Sequence, residues 1–178
     1  MRIISGLFKG KYLNFLKNSN TRPLKDVVKE SIFNILKHSN LIDVNIENSK
    51  VIDLYSGIGS FGIECISRGA KKVVFVEQDV NAAKILKENL DQFDAQEKTI
   101  IVNDKIENFF ENQDSLNFNI FFLDPPFKDK KFLKILEQIK IKQNVKGKHI
   151  VIIHRENNSK DNLENYVNVV LTKNYGRS

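Results

Sequence analysis

The sequence predicts an α/β protein built on a doubly wound, mostly parallel sheet, and three observations carry that prediction. From Lys50 onward, short apolar runs at 50–55, 72–77, 98–102, 119–123, 149–153 and 166–171 alternate with stretches of helical periodicity. Most of these runs are continuously apolar, as expected of parallel strands covered on both faces. A glycine-rich turn, Gly57-Ile58-Gly59-Ser60-Phe61-Gly62, directly follows the first run. Sheets of this kind bind ligands there, at the carboxyl ends of their strands.

Before the alternation begins, residues 2–16 (RIISGLFKGKYLNFL) read as two short strands around the region from Gly6 to Gly10. Pro23 suits a first helical turn, and Leu24, Val28, Ile32, Ile35 and Leu36 then share one stripe. Further helices are expected over 60–68, stopped by Gly69, and over 80–93 with Asp79 as N-cap. A short one is expected near 105–112, and another over 130–140 after Asp129. No repeat or linker divides the chain. The basic hairpin and helix of residues 1–40 are therefore expected to share one domain with a core at 41–178.

No apolar run approaches the ~20 residues that cross a bilayer, so no membrane partner is expected. The single cysteine, Cys65, rules out an internal disulfide and fits a cytoplasmic location. It falls in the helix after the glycine turn and reads as a small core residue. With three scattered histidines there is no Cys/His metal cluster, so no metal is expected. His38, His149 and His154 lack a Ser or Cys partner, although His154 ends a strand at the active edge.

Charge is more informative than composition. Residues 1–40 hold eight Lys/Arg (Arg2, Lys9, Lys11, Lys17, Arg22, Lys25, Lys29 and Lys37) against Asp26 and Glu30. That excess of +6 equals the net charge of the whole chain, and the remainder balances. A basic segment on a neutral body points to a polyanion such as nucleic acid. Lys9, Lys11 and Arg22 are candidate substrate contacts.

The glycine turn fits two cofactors at first. It matches a dinucleotide fingerprint, and Glu77, twenty residues after Gly57, can accept hydrogen bonds from a ribose diol. NAD and S-adenosylmethionine both carry that ribose. Two residues favour S-adenosylmethionine. Asp53, inside the first strand, would repel a pyrophosphate but attract an ammonium and a sulfonium. Asp104, just after the third strand, is placed to accept from an adenine amino group. The cofactor set is thus Asp53, Tyr55, Ser56, Gly57 and Gly59, with Glu77 and Gln78, and Asp104 and Lys105.

Asp124-Pro125-Pro126-Phe127 follows the fourth apolar run. Two prolines cannot continue a central strand, so the backbone turns there and aims the Asp124 carboxylate and a carbonyl into the same cleft. An exocyclic base amine is a poor nucleophile because its lone pair is delocalised into the ring. Two acceptors holding its N–H groups would point that lone pair at a methyl donor. Phe127 offers a stacking face worth ~1–3 kcal/mol. These four residues are the candidate catalytic set, with Phe127 also touching the substrate.

With these motifs assembled, the chain resembles the RsmD-type methyltransferases. The likeness rests on Arg2-Ile3-Ile4-Ser5-Gly6 with Lys9-Gly10, and on Thr21-Arg22-Pro23 leading into Glu30-Ser31-Ile32-Phe33-Asn34-Ile35-Leu36. It continues through Asp53-Leu54-Tyr55-Ser56-Gly57-Ile58-Gly59, Ser67-Arg68-Gly69-Ala70, Val74-Phe75-Val76-Glu77 and Leu123-Asp124-Pro125-Pro126-Phe127. The resemblance implies a Rossmann-like class I methyltransferase fold that uses S-adenosylmethionine to methylate the N2 amine of a guanine in 16S ribosomal RNA. It also implies ribosomal RNA or the small-subunit particle as partner, and places Arg22 along the cofactor or RNA cleft. The protein is expected to be a monomer. Members of that family finish with an antiparallel strand after a Tyr-Gly turn, whereas this sequence stops at Asn174-Tyr175-Gly176-Arg177-Ser178. The last strand is therefore expected to be missing, leaving an apolar edge or gap between the fifth and sixth strands.

Other readings keep some of these features. The same chemistry could act on adenine N6 or another RNA amine. An NAD-dependent oxidoreductase would use the glycine turn but lacks a proton-relay residue, and a non-catalytic RNA-binding protein would use only the basic arm.

Overall fold

Five strands, β1 (Lys50–Leu54), β2 (Lys72–Val76), β3 (Thr99–Val102), β4 (Ile120–Leu123) and β5 (Ile150–Ile153), form one parallel sheet in the order β3-β2-β1-β4-β5. The structure, a computed structural model, describes residues 1–15, 24–126, 128–143, 147–157, 159 and 161–176. The order reverses between β1 and β4, which makes the ends of those two strands the switch point where a ligand cleft opens. Helices α1 (Asp26–His38), α2 (Ser60–Ser67), α3 (Val80–Gln92), α4 (Ile106–Glu111) and α5 (Phe132–Lys142) cover the sheet. All lie within two or three residues of their expected positions. Pro23, expected in the first turn of α1, lies outside the described residues.

Alternating strand residues feed two hydrophobic clusters. Val51, Phe75 and Phe122 join Phe33 and Phe61 on one side, while Ile52, Val76 and Phe121 join Phe110, Phe132 and Leu136 on the other. Phe61 stacks on Phe122 with ring centroids 3.9 Å apart and on Phe33 at 5.2 Å. Each such buried ring contributes about 1.5–3 kcal/mol relative to exposure. Asp79 caps α3 as expected, accepting from the backbone N–H groups of Asn81 (2.8 Å) and Ala82 (3.0 Å). Cys65 is fully buried in the first cluster, and its burial pushes the thiol pKa up.

The N-terminal hairpin differs from the two strands expected. It carries a single antiparallel bridge, Arg2 to Tyr12, supported by Ile3 N–H to Lys11 O and Gly10 N–H to Ile3 O, both 2.9 Å. The backbone donors that would extend the ladder are taken by α2 instead. Glu64 accepts from the N–H groups of Ile4 (2.8 Å) and Ser5 (3.0 Å), and Ser67 Oγ accepts from Phe8 N–H (2.9 Å). The hairpin therefore lies along α2, its stem beside Ser60 and its tip beside Ser67.

Residues 166–171 differ as well. They pair with no strand among the described residues, and Val169, Val170 and Leu171 remain exposed. The stretch around this segment runs past β5 across a groove, with Leu163 and Tyr166 packed on the second cluster and Tyr175 on the first. Tyr175 also bonds to Ser31 of α1. Between the segment, β5 and α1 runs an open groove of about 1100 Å³, lined by Val28, Ile32, Ile150, Ile152, Tyr166 and Val169 among others. The gap beside the fifth strand is thus present, but its far wall is irregular backbone. A run of β-forming residues becomes a strand only where an edge is within hydrogen-bonding reach.

Candidate active site

Parallel register lines up the strand ends. Leu54 lies opposite Val76 and Leu123, and Leu123 opposite Ile153. The next residue of each strand, Tyr55, Glu77, Asp124 and His154, therefore forms a row along the carboxyl edge of the sheet. Asp53 sits two residues inside it, within β1.

The turn after β1 is fastened at every step. Tyr55 adopts a left-handed φ of 62°, which costs a non-glycine residue of order 1–3 kcal/mol. Its hydroxyl donates to Asp129 Oδ2 at 3.4 Å, and its burial, with Asp129 beside it, pushes its pKa up. The Ser56 N–H donates to Val76 O (3.1 Å), and the Gly59 N–H to Ser56 O (2.8 Å). Gly57 and Gly59 have φ of 54° and 85°, a region that suits glycine. At Gly62 a Cβ would stand 2.2 Å from the Phe75 ring, so this third glycine is needed for helix–strand packing.

The carboxylates organise this turn. Glu77 accepts from Gly57 N–H with one oxygen (2.7 Å) and from Asp79 N–H with the other (2.8 Å). Asp53 accepts from Gly62 N–H (2.9 Å). Burial pushes the Asp53 pKa well up, the Gly62 hydrogen bond opposes this, and the charges of Asp124 and Glu77 add to it. Asp104 accepts from Lys105 N–H and from the Asn108 side chain, both at 2.7 Å, so one of its oxygens serves the start of α4. Gln78 and Lys105 are exposed at the rim.

This site fits S-adenosylmethionine and does not fit a dinucleotide. A Cβ at Gly57 would meet nothing within 4 Å, so the turn borders open space beside Glu77. A ribose diol and an ammonium are complementary to Glu77 and Asp53. A pyrophosphate would face Glu77, Asp124 and the buried Asp53, whose pKa the charges of the other two help to raise.

Across the switch point, the turn after β4 is gripped from β5. Asp124 Oδ1 accepts from His154 Nδ1 at 2.8 Å. The Pro126 carbonyl accepts from Asp129 N–H (2.8 Å) and from Arg155 Nη1 (3.0 Å). Arg155 also donates to Asp161 Oδ2 (2.8 Å) and lies over the Phe132 ring at 4.5 Å. Burial raises the Asp161 pKa, but the Arg155 hydrogen bond and charge outweigh it and hold the carboxyl below its usual range. Pro125 is buried and Pro126 exposed.

The structure brings Asp53, Tyr55, Ser56, Gly57, Gly59, Glu77, Asp124, Pro125 and Pro126 to the carboxyl edge of the sheet around the switch point. Phe127 and Arg22 lie outside the described residues. Lys9 and Lys11 stand at the hairpin tip, at the far end of α2 from the glycine turn. Lys11 Nζ lies 5.7 and 5.6 Å from the centroids of Phe8 and Phe93. Lys29, counted above in the basic segment, is fully buried and faces Glu64 at 3.7 Å. Sequence reasoning missed Arg155 and Asp161 and gave His154 no chemistry. The one available signal was that His154 directly follows an apolar run, as Asp124 does.

A parallel 3-2-1-4-5 sheet with a glycine turn after β1 and an Asp-Pro-Pro turn after β4 defines a Rossmann-like class I methyltransferase fold. A family model described as "Conserved hypothetical protein 95" matches residues 1–178, and the chain belongs to this family, that of the RsmD-type proteins. Ribosomal RNA small subunit methyltransferase D of Haemophilus influenzae is 39% identical over 129 residues, 71% of this chain and 64% of that protein. The chain thus spans just under two thirds of that relative's length. The protein of the same name from Buchnera aphidicola subsp. Baizongia pistaciae is 30% identical over 158 residues, covering 88% and 76%. A hypothetical protein of Thermus thermophilus, TTHA0928, shares the fold, with a TM-score of 0.72 over 92% of this chain and 90% of that one at 19% identity.

Proposed function

We propose that this protein transfers a methyl group from S-adenosylmethionine to the exocyclic N2 amine of a guanine in 16S ribosomal RNA. Two things support the reading together: membership of the RsmD-type family, and an Asp-Pro-Pro turn held beside a carboxylate-lined glycine turn. The second of these is the observation that carries it.

When bound, S-adenosylmethionine supplies a methyl carbon that forms a bond to the amine nitrogen while its bond to sulfur breaks and the electron pair stays on sulfur. Glu77 holds the ribose diol, Asp53 attracts the ammonium, and Asp104 with Lys105 and Gln78 lines the adenine rim. The guanine leaves its stack and enters the cleft. Asp124 accepts one amine N–H. The Pro126 carbonyl is engaged by Asp129 and Arg155, so we assign the second acceptor to the Pro125 carbonyl. Held this way, the nitrogen presents its lone pair to the methyl group, and its surplus proton passes to Asp124. Phe127 stacks on the base, and Arg22 contacts the RNA near it. Lys9 and Lys11 grip the RNA away from the target base, through salt-sensitive phosphate contacts.

The test is Asp124→Ala. It is expected to abolish transfer to small ribosomal subunits while calorimetry still records S-adenosylmethionine binding. Normal turnover in this variant would overturn the assignment. Methylation of duplex DNA in preference to subunits would move the substrate to adenine N6.

A further inference from the structure

The hold on Asp124 comes from a residue outside the catalytic turn. His154 is the first residue beyond β5, in register with the first residue beyond β4, and its backbone N–H continues the ladder to Leu123 O at 2.9 Å. This pairing brings Nδ1 to 2.8 Å from Asp124 Oδ1, with the His154 and Asp124 side chains only 12% and 22% exposed. A carboxylate accepts, so Nδ1 is the donor in this bond.

We propose that His154 is a positioning residue for methyl transfer: its imidazole fixes the Asp124 carboxylate so that Oδ2 faces the target amine. The proposal rests on the function assigned above. The carboxylate torsion of an aspartate is broad and roughly two-fold, so an untethered Asp124 would spread both oxygens over many orientations. One N–H donor at Oδ1 selects a single orientation and leaves Oδ2 for the amine. The tether holds this orientation until the nitrogen becomes cationic. At that point the nitrogen gives one proton to Oδ2 and becomes neutral, and the resulting carboxyl stays bonded to His154. Arg155 works alongside, holding the Pro126 carbonyl while Asp161 anchors the guanidinium. The end of β5 therefore aligns both halves of the Asp-Pro-Pro turn.

Single-turnover transfer to small ribosomal subunits tests this with His154→Ala, His154→Gln, Asp124→Asn and the double variant His154→Ala/Asp124→Asn. Losing the tether is expected to slow transfer by about 10- to 100-fold, with the melting temperature and the S-adenosylmethionine dissociation constant unchanged. The glutamine amide can donate to Oδ1, so His154→Gln is expected to recover most of the rate. In the Asp124→Asn background, removing His154 is expected to matter little, because the two residues act as one unit. An equal loss in both backgrounds, or no recovery with glutamine, overturns the proposal. Full activity of Asp124→Ala would instead overturn the underlying function, so the two failures are distinguishable.

Discussion

Asp53 shows how far a single carboxyl can be pulled between folding and binding. It is buried at the switch point, and its pKa is raised mainly by that burial. A carboxyl whose folded-state pKa is raised stabilises the fold fully only below its ordinary value of ~3.9. That contribution is lost as pH rises through the folded pKa. Asp53→Asn keeps an oxygen for the Gly62 N–H and removes the buried charge. Its stability relative to wild type is therefore expected to grow as pH rises from ~4, while S-adenosylmethionine binding weakens by about 1.5–3 kcal/mol. Urea unfolding across a pH series, with calorimetry alongside, measures both, and a pH-independent stability difference would refute the first. The positions of Asp53, Glu77 and Asp124 were legible because each sits at or next to the end of an apolar run. The tie from Asp53 to Gly62 was not, since it depends on where α2 starts. The tie from His154 to Asp124 depends on β5 lying beside β4, a neighbour relation that no local pattern encodes.

At the scale of elements, the hairpin, α1 and α2 are fastened through one buried pair. Glu64 and Lys29 are both fully buried. Glu64 accepts from Ile4, Ser5 and Arg68, while Lys29 Nζ donates to Arg2 O at 2.8 Å. Burial pushes the Lys29 pKa down, and Glu64 and Asp26 oppose that shift. Removing one partner of a buried pair costs about 3–5 kcal/mol. Glu64→Leu is expected to reach that range, because it strands two backbone donors and two cations. Lys29→Met is expected to cost less, because Glu64 keeps three donors. Hydrogen exchange provides the structural check: the amides of Ile4 and Ser5 should lose protection in Glu64→Leu and keep it in Lys29→Met. Equal costs and equal protection would count against the arrangement. Charge counting read Lys29 as part of a polyanion-binding basic arm, because the count does not see burial. The hairpin was legible from its glycines, but its short ladder was not, since the competing acceptors come from a helix some sixty residues away.

For the whole molecule, the alternation of apolar runs and helical periods made the sheet legible down to its parallel sense. The five observed strands match five of the six expected runs. The sixth, 166–171, has the composition of a strand, and its fate was decided by the space around it. The result is a sheet whose last strand has no hydrogen-bonded neighbour on its outer side among the described residues. An open β edge flanked by apolar groove walls is a template for another extended chain. In solution this makes colloidal behaviour, rather than melting temperature, the property most exposed to small changes. The net charge of +6 delays encounter at low ionic strength, and salt removes that protection. Light scattering is therefore expected to rise with both protein and salt concentration. Val170→Lys, at an exposed position on the groove wall, is expected to suppress that rise without moving the melting temperature. Unchanged scattering in that variant would show that the open flank of β5 is not where the molecules meet.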